Sequence, residues 1–324
     1  MLYMSEKHIQ AIGINWKEAI EVVEQSVVAL KEDDYAQPLK PYLRYRNPQN
    51  RIIAMPAFVG AQIQMAGIKW IASFPDNIDK GIPRASSVIV LNNADTGQVE
   101  SLINTAMIST IRTSAVTGYV VNRFLNQNKN TNVTVGIIGF GPIGQRHLDM
   151  YEELFGDRIS RYLIYDIRPI IDKEALQKKC TATVEVATSW EMAYEAADIL
   201  TCCTVSPTPY VDRKPKENAL ILNISLRDFK PDTFHYFKDS IIVDDWDEVC
   251  RENTTIDLWK QHFGLQKSDV RTLVDVFTDQ GLFNVTKDTN CIFCPMGMAV
   301  FDIAIATYYF NKATHLGIGV NHVD

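Results

Sequence analysis

The sequence predicts an α/β protein that combines a doubly wound parallel sheet with a second, mainly antiparallel sheet. Three observations lead to this fold class. The stretch 134–150, TVGIIGFGPIGQRHLDM, has the pattern of a buried strand, a glycine turn and the start of a helix. From there to about residue 246, six strand patterns alternate with helical ones, as parallel sheets with crossover helices require. The first third instead shows strand patterns joined by hairpin turns.

The glycine turn has the spacing of a dinucleotide-binding (Rossmann) turn. A G-x-G-x-x-G pattern allows a tight turn, close approach of a pyrophosphate and close packing of the helix on the strand. The free N–H groups and the positive dipole end of that helix would hold the phosphates. Cofactor-binding positions are therefore expected along the turn, at Gly139, Gly141, Pro142, Ile143 and Gly144.

An acidic residue at the end of the next strand favours NAD as the dinucleotide. Asp166 follows the turn somewhat later than the usual ~20 residues after the first glycine. Its carboxylate can accept hydrogen bonds from both ribose hydroxyls, and it repels the 2′-phosphate of NADP. Arg168, two residues further on, weakens this preference and is included among the cofactor-binding residues.

Composition excludes several classes of function. The chain has 324 residues, of which 46% are hydrophobic and 22% charged, with a formal net charge of −7. This charge argues against general binding to nucleic acids or membrane surfaces. No apolar run reaches the ~18 residues of a transmembrane helix, and the N-terminus lacks a signal-peptide pattern. We therefore expect a cytoplasmic protein without a nucleic-acid or membrane partner.

The cysteines and histidines suggest no metal site. The six cysteines lie mostly in apolar segments, and the Cys291-x-x-Cys294 spacing has neither a second such pair nor clustered histidines beside it. We interpret them as structural thiols. The histidines are scattered, and His147, in the helix after the glycine turn, is expected to face solvent.

A polar linker, NQNKNTN at 126–132, marks the predicted domain boundary. Residues 1–128 are predicted to form the antiparallel domain, with helices capped by Ser5 and Asn15, and residues 129–298 the dinucleotide-binding domain. The last apolar helix is expected to pack back on the first domain, so that residues 299–324 complete it.

Three basic residues stand among apolar neighbours and are candidates for binding an anion. They are Arg44, Lys69 and Arg112. A buried cation needs an anionic partner, which is either a carboxylate of a substrate or a local Asp or Glu. For Arg44 the two alternatives are nearly balanced, because Arg46 and Arg51 compete nearby.

Further candidates follow the strands of the parallel sheet. Asp228 lies beyond a strand's carboxyl end, where ligands bind in such sheets, but it also fits the N-cap of a following helix. Thr204 and Ser225 are placed to contact a nicotinamide ribose or amide, and Gly297 to allow close approach of the nicotinamide. Asp302, in the last helix, is more easily explained as a cap or an ion-pair partner.

The segments GIKW, IRTSAV, GFGPIG, NISLRD and PMGMAVFDIA, in this order, resemble the ornithine cyclodeaminase/μ-crystallin family over nearly the whole chain. Within that family QPLKPYLR, RIIAMP, RASSVIVLN and IVDDW look most like a siderophore-pathway branch that makes 2,3-diaminopropionate. The resemblance implies an NAD-dependent homodimer that acts on a small amino-acid substrate. It also implies that the first domain supplies both the substrate contacts and the dimer interface.

The resemblance also implies roles for single residues. Arg44, Lys69 and Arg112 match the carboxylate-binding residues of the family, and Asp228 matches its catalytic aspartate. Lys69, beside two arginines, is expected to have a lowered pKa and to be a second catalytic group. The implied reaction is NAD-dependent oxidation of a secondary amine, followed by hydrolysis to 2-oxoglutarate and 2,3-diaminopropionate.

Other members of the family suggest alternatives. These are ornithine cyclodeamination, alanine dehydrogenation, ketimine reduction and a non-enzymatic binding role. The segment NISLRDFKPDTF around Asp228 departs from the glycine-rich, Pro-Gly-Lys-containing segment of cyclodeaminases, which argues against cyclodeamination. The presence of Lys69, Arg112 and Asp228 together argues against a purely binding role.

Overall fold

The structure is a computed structural model, which describes residues 1–127, 131–170, 172–278 and 289–321. The strands are β1 (Leu2–Ser5), β2 (Tyr35–Ala36), β3 (Tyr42–Leu43), β4 (Arg51–Val59), β5 (Met65–Ser73), β6 (Ala85–Asn93), β7 (Val99–Asn104), β8 (Val133–Ile138), β9 (Ile159–Tyr165), β10 (Thr183–Val186), β11 (Ile199–Cys202), β12 (Leu220–Asn223), β13 (Ile241–Val243), β14 (Val270–Thr272), β15 (Cys291–Cys294) and β16 (Val320–Asn321).

The helices are α1 (Glu6–Ile12), α2 (Trp16–Lys31), α3 (Met107–Gln127), α4 (Pro142–Phe155), α5 (Lys173–Lys179), α6 (Trp190–Ala196), α7 (Trp246–Val249), α8 (Thr255–Phe263), α9 (Leu273–Thr278) and α10 (Ala299–Leu316). Short 3-10 helices cover Pro75–Lys80, Pro231–Tyr236 and Lys267–Asp269. Among the described residues, no helix is long and apolar enough to span a membrane.

The chain folds into two compact units, residues 1–116 with 297–324, and residues 117–296. The first contains a mixed, mainly antiparallel sheet and the second a parallel sheet, so the predicted fold class is confirmed. The predicted domain boundary at residues 128–129 lies outside the described residues. The change from one unit to the other falls instead between Val116 and Thr117, inside the continuous helix α3.

The first unit is organised around helix α10 and the sheet on which it packs. The strand order is β16-β1-β7-β6-β5-β4-β2, with β3 also paired to β4. Helix α10 contacts α2, β4 and β5, and it is buried along most of its length. In the register of β4, β5 and β6, Lys69 lies opposite Met55 and Ile89, which are both buried. This register places a lysine on the face of the sheet that helix α10 covers.

Helix α2 begins where its capping pattern predicts. The side chain of Asn15 accepts a hydrogen bond from the backbone N–H of Glu18 at 3.0 Å. Helix α1 likewise begins directly after Ser5. The Asn15 cap satisfies an N–H group that a helix terminus leaves without an intrahelical partner.

The second unit contains a parallel sheet in the order β10-β9-β8-β11-β12-β15-β13-β14. The six predicted strands correspond to β8 to β13, and two more are present. One of them, β15, is formed by Cys291–Cys294 and lies between β12 and β13, so the Cys-x-x-Cys segment is a buried central strand. Strand β8 lies between β9 and β11, which makes the carboxyl end of β8 the point where the strand order reverses. Ligands bind at such switch points in open α/β sheets.

Candidate active site

A buried ion-pair cluster in the first unit joins two of the predicted anion-binding residues. Lys69, on β5, donates to Asp302 Oδ2 at 2.6 Å, and Arg112, on α3, donates through Nε to Asp302 Oδ1 at 3.0 Å. Asp302 lies in the first turn of α10 and is 0% exposed, while Lys69 is 1% exposed. Lys69 also donates to Ser109 Oγ at 3.2 Å. The acidic partner of Lys69 and Arg112 is therefore Asp302, which is distant from both in the sequence. Asp302 is an ion-pair partner, as predicted.

A third buried cation belongs to the same cluster. Lys40 is 3% exposed, and its Nζ donates to the backbone carbonyl oxygen of Gly297 at 2.7 Å. Its positive charge acts on Lys69. Lys69 and Arg112 thus share the carboxylate of Asp302, and Lys40 adds a further positive charge that acts on Lys69. Such a concentration of cationic groups is suited to binding a carboxylate-bearing ligand.

The pKa of Lys69 is lowered toward neutral pH. The pKa of Lys69 is lowered to about 8, chiefly by burial and also by the positive charges of Arg112 and Lys40, while Asp302 opposes the shift. The direction agrees with the prediction, but the second neighbouring cation is Lys40 and not the predicted Arg44. Burial acts to raise the pKa of Asp302, yet contact with Arg112 and Lys69 holds that pKa below its usual value.

Arg44 lies in a different environment from the one predicted. It follows β3 directly and is exposed, with its guanidinium carbon 4.9 Å from the ring centroid of Tyr42. Arg51 also lies over this ring, at 5.8 Å. The apolar surroundings expected for Arg44 are therefore wrong, because its neighbours Leu43 and Tyr45 are exposed as well. Its contact with a substrate carboxylate stays a prediction.

The glycine turn of the second unit has the geometry that a dinucleotide requires. Gly139 has a φ of +90°, and a Cβ added there would lie 2.7 Å from the carbonyl carbon of Cys203. A Cβ on Gly144 would lie 2.2 Å from the carbonyl oxygen of Gly139. At Gly141, the N-cap of α4, a Cβ would meet nothing within 4 Å. The turn therefore leaves open space at Gly141, where a pyrophosphate needs close approach to the backbone.

Asp166 braces this turn. Its Oδ2 accepts from the backbone N–H of Phe140 at 2.6 Å and its Oδ1 from that of Arg168 at 2.8 Å. A carboxylate has about four lone-pair positions, so two remain for ribose hydroxyls. The side chain of Arg168 is exposed. The turn and Asp166 together fit the predicted cofactor, although the individual contacts of Pro142 and Ile143 stay predictions.

Asp228 is a buried carboxylate held by three hydroxyl groups. Thr204 donates to Oδ1 at 2.6 Å, and Ser225 donates to Oδ2 at 2.5 Å. Tyr210 donates to Oδ2 at 3.4 Å. Burial raises the pKa of Asp228, while these hydrogen bonds oppose the rise. A carboxylate in such surroundings is suited to accept a proton.

The alternative interpretation of Asp228 as a helix N-cap is wrong. The following 3-10 helix is Pro231–Tyr236, and its N-cap is Lys230. The backbone carbonyl of Asp228 instead accepts from the N–H groups of Tyr210 and Val211, both at 2.8 Å. These bonds fix the aspartate by its main chain as well as by its side chain.

The expectation that His147 faces solvent is also wrong. His147 is 0% exposed, with Nε2 2.7 Å from Thr117 Oγ1 and Nδ1 2.8 Å from the carbonyl oxygen of Ile143. Burial lowers its pKa to about 4, so it is neutral at physiological pH. The polar neighbours of His147 in the sequence concealed that it lies on the packed face of α4.

The thiols of Cys291 and Cys294 are buried, and burial raises the pKa of both. This agrees with structural thiols. Within the described residues, no group of three or more His, Cys, Asp or Glu side chains is arranged to hold a metal ion.

Comparison with known proteins identifies the family. The model of the ornithine cyclodeaminase/mu-crystallin family matches residues 4–316. The chain belongs to this family. It is 31% identical to the N-((2S)-2-amino-2-carboxyethyl)-L-glutamate dehydrogenase of Staphylococcus aureus, with 98% of this chain and 97% of the relative covered. It is 26% identical to the alanine dehydrogenase of Archaeoglobus fulgidus, with 98% and 97% covered.

Solved structures agree with the family assignment. The Δ1-pyrroline-2-carboxylate reductase of Thermococcus litoralis, solved with NADH and L-proline, has a TM-score of 0.89 and 25% identity to this chain. The match covers 99% of this chain and 100% of the reductase. The predicted membership in the ornithine cyclodeaminase/mu-crystallin family is thus confirmed.

Two members of the cation cluster were not predicted to belong to it. Lys40 stands in QPLKPYLR, one of the segments that resemble the family. Asp302 is an acid in the otherwise apolar stretch PMGMAVFDIAIA, and a buried acid of this kind requires a cationic partner. That requirement was a signal for pairing Asp302 with Lys69 or Arg112.

Proposed function

We propose that this member of the family oxidises N-(2-amino-2-carboxyethyl)-L-glutamate with NAD and releases 2-oxoglutarate and L-2,3-diaminopropionate. In class, the chain is an NAD-dependent oxidoreductase that acts on an amino-acid C–N bond. The substrate is a proposal, based on the 31% identical relative of that name. The observation that carries it is the buried cluster in which Lys69 and Arg112 share the carboxylate of Asp302 and Lys40 adds positive charge.

The charge of the cluster suits the proposed substrate. N-(2-amino-2-carboxyethyl)-L-glutamate carries three carboxylates, and a guanidinium binds such a group through two parallel hydrogen bonds. Arg112 uses Nε for Asp302, and among the described residues its two terminal nitrogens have no hydrogen bond, which leaves them for this purpose. Lys69 and Lys40 add positive charge beside it. Binding and orienting the substrate is therefore the role we assign to this cluster.

The remaining chemistry needs a dinucleotide and a proton acceptor. When bound at the glycine turn, NAD would supply the hydride acceptor for oxidation at the carbon of the C–N bond. Asp166 and the open backbone at Gly141 would hold it. Asp228 is able to take a proton from the amine nitrogen or from the attacking water, and Lys69, with its pKa lowered to about 8, can do so only in the fraction of molecules in which it is neutral. Water then supplies the oxygen of 2-oxoglutarate, and the amine leaves as diaminopropionate.

We also propose that the protein pairs as a homodimer through the sheet face opposite α10. Trp70, which neighbours Lys69 and so points away from α10, is 41% exposed. Around it most residues of the same face are partly exposed and apolar, in contrast to the polar residues that predominate on a solvated antiparallel face. On β4, β5 and β6 they include Ile52, Ala54, Phe58, Ile68, Val88 and Val90. A second copy of this face would cover them.

We also propose a cellular location for the reaction and a use for its product. An enzyme that consumes NAD fits a cytoplasmic location, and its diaminopropionate would serve the synthesis of a siderophore or a peptide antibiotic. This part depends on the substrate and is tested with it.

The experiment is a nicotinamide absorbance assay of the purified protein with NAD and each candidate substrate, with products identified by mass spectrometry. Reduced NAD together with 2-oxoglutarate and diaminopropionate is expected from N-(2-amino-2-carboxyethyl)-L-glutamate. Proline and ammonia from ornithine, pyruvate from alanine, or reduction of a cyclic imine with NADH would assign another reaction of the family and overturn the proposed substrate. Tight NAD binding without any turnover would support a binding role.

A further inference from the structure

We propose that Asp302 is a positioning residue, which keeps Lys69 protonated and turns the fork of Arg112 toward the substrate carboxylate. This inference rests on the proposed role of the cluster in binding substrate. Asp302 itself need not touch the substrate, because each of its oxygens already accepts from a cation.

The two carboxylate oxygens of Asp302 accept from different cations. Oδ2 accepts from Lys69, and Oδ1 accepts from Arg112 Nε. Lys69 comes from β5, Arg112 and Ser109 come from α3, and Asp302 comes from α10. A carboxylate with 0% exposure is strongly disfavoured without cations, so Asp302 and its two partners depend on one another. Placing the acid in α10, which packs on β5, fixes its position relative to Lys69.

Asp302 determines which nitrogens of Arg112 are presented. A guanidinium can offer a carboxylate either its Nε side or its two terminal nitrogens. Because Asp302 occupies Nε, the terminal pair points elsewhere, next to the Cα of Gly297. The absence of a side chain at Gly297 leaves room for this orientation.

Asp302 also decides the charge of Lys69. Among the described residues, the charged groups that act on Lys69 are Asp302 from α10, Arg112 from α3 and Lys40 from the segment before β3. Burial and the two cations favour the neutral amine, and Asp302 alone favours the ammonium. Removing the negative charge therefore has to lower the pKa of Lys69 further, so that a larger fraction of Lys69 is neutral at pH 7.

The test follows the lysine directly, so that it does not depend on turnover. The full chain is labelled with [13C]lysine at the ε carbon, and the Lys69 resonance is identified by its loss in Lys69→Arg. In the wild-type protein we expect Lys69 to titrate near pH 8. In Asp302→Asn we expect its midpoint to fall by at least ~1 unit. An unchanged midpoint would overturn the proposal.

A matched control is available at another ion pair that involves α10. Glu18 accepts from Lys312 of α10 in a half-exposed ion pair of 2.8 Å, away from the cluster. Glu18→Gln should leave the Lys69 midpoint unchanged. If Asp302→Asn does not fold, Asp302→Glu decides the matter, because it keeps the charge. Its Lys69 midpoint should stay within ~0.5 unit of the wild-type value, and a fall as large as that expected for Asp302→Asn would contradict the proposal.

Activity supplies the second readout. With a substrate that the wild-type protein turns over, Asp302→Asn should raise KM at least ~10-fold and leave the Kd for NADH within ~2-fold, since the Arg112 fork is no longer aimed. Asp302→Glu should restore part of the loss. If the proposed substrate is not turned over, the proposed function fails while the lysine titration still tests Asp302.

Discussion

Gly297 lies directly against the guanidinium of Arg112. A Cβ added to Gly297 would stand 2.9 Å from Nη1 and 3.1 Å from Nη2 of that arginine. The residue also has a φ of +88°, a conformation that only glycine adopts without strain. Its carbonyl oxygen accepts from Lys40 at 2.7 Å. One glycine thus contacts two cations of the candidate substrate site, whereas the sequence suggested for it a contact with the nicotinamide.

We expect Gly297→Ala to impair substrate binding more than stability. The methyl group would displace the two Arg112 nitrogens that are left for a carboxylate, and the loss of such hydrogen bonds weakens binding by ~1.5–3 kcal/mol, or roughly 10- to 150-fold in kcat/KM. Steady-state kinetics checks this. Gly317→Ala is the control, because Gly317 also has a positive φ but nothing lies within 4 Å of its Cβ position. Equal losses of activity in both variants would show that backbone strain alone is responsible.

The glycine turn allows stability and cofactor affinity to be separated. Gly141 has a φ of −73° and open space at its Cβ position, so Gly141→Ala should fold with an almost unchanged Tm. It should raise the Kd for NADH by ~10-fold, because the methyl occupies the space that the pyrophosphate needs. Fluorescence titration with NADH measures this change. An unchanged Kd would show that the phosphates bind elsewhere.

The opposite result is expected one turn further along α4. A methyl at Gly144 would overlap the carbonyl oxygen of Gly139, so Gly144→Ala should destabilise the protein by ~1–3 kcal/mol. Denaturant unfolding measures the free energy change. Unimpaired stability of Gly144→Ala would contradict the close packing of helix on strand.

Much of this fold was predictable because local patterns determine it. Asn15 caps α2 through the predicted contact with Glu18, and the Gly139 turn follows a strand of β-branched residues as expected. Strand β15 was missed because four residues that include two cysteines resemble a chemical motif more than a strand. Periodicity cannot separate these alternatives in so short a run.

The site was less predictable because its partners are distant along the chain. Lys69 and Asp302 are 233 residues apart, and only the packing of α10 on β5 brings them together. Leu43 and Tyr45 beside Arg44 are exposed although they are apolar, so the apolar residues around Arg44 in the sequence did not indicate burial. The sequence therefore indicated Lys69 and Arg112 as candidate buried cations, but not that both bind the carboxylate of Asp302.

The burial of Asp228 leads to a prediction for the pH dependence of the reaction. Burial raises the pKa of this carboxyl above the ordinary value of 3.8, so the carboxylate takes up a proton at a higher pH than an exposed aspartate. If Asp228 acts as the base, kcat/KM falls as the pH decreases through that raised pKa. Asp228→Asn should remove this acid limb and lower kcat by ~10²- to 10⁴-fold, with the Kd for NADH unchanged.

A control variant distinguishes the Asp228 carboxylate from the hydroxyl groups that donate to it. Thr204→Val removes one hydroxyl that donates to Asp228 but keeps the carboxylate, so the acid limb should persist and move to higher pH. An acid limb that is the same in Asp228→Asn and the wild-type protein would assign the limb to another group.

The exposed Trp70 tests the proposed pairing of two copies. Trp70→Glu places a charge in the centre of the apolar sheet face, where burial of an unpaired carboxylate in a dimer is strongly unfavourable. We expect a dimeric wild-type protein and a monomeric variant by light scattering coupled to size exclusion. Tyr236→Glu, at an aromatic residue of the second unit that is 37% exposed, should remain dimeric. A dimer that survives Trp70→Glu would place the interface on another surface, since an apolar face cannot accept this charge without losing its partner.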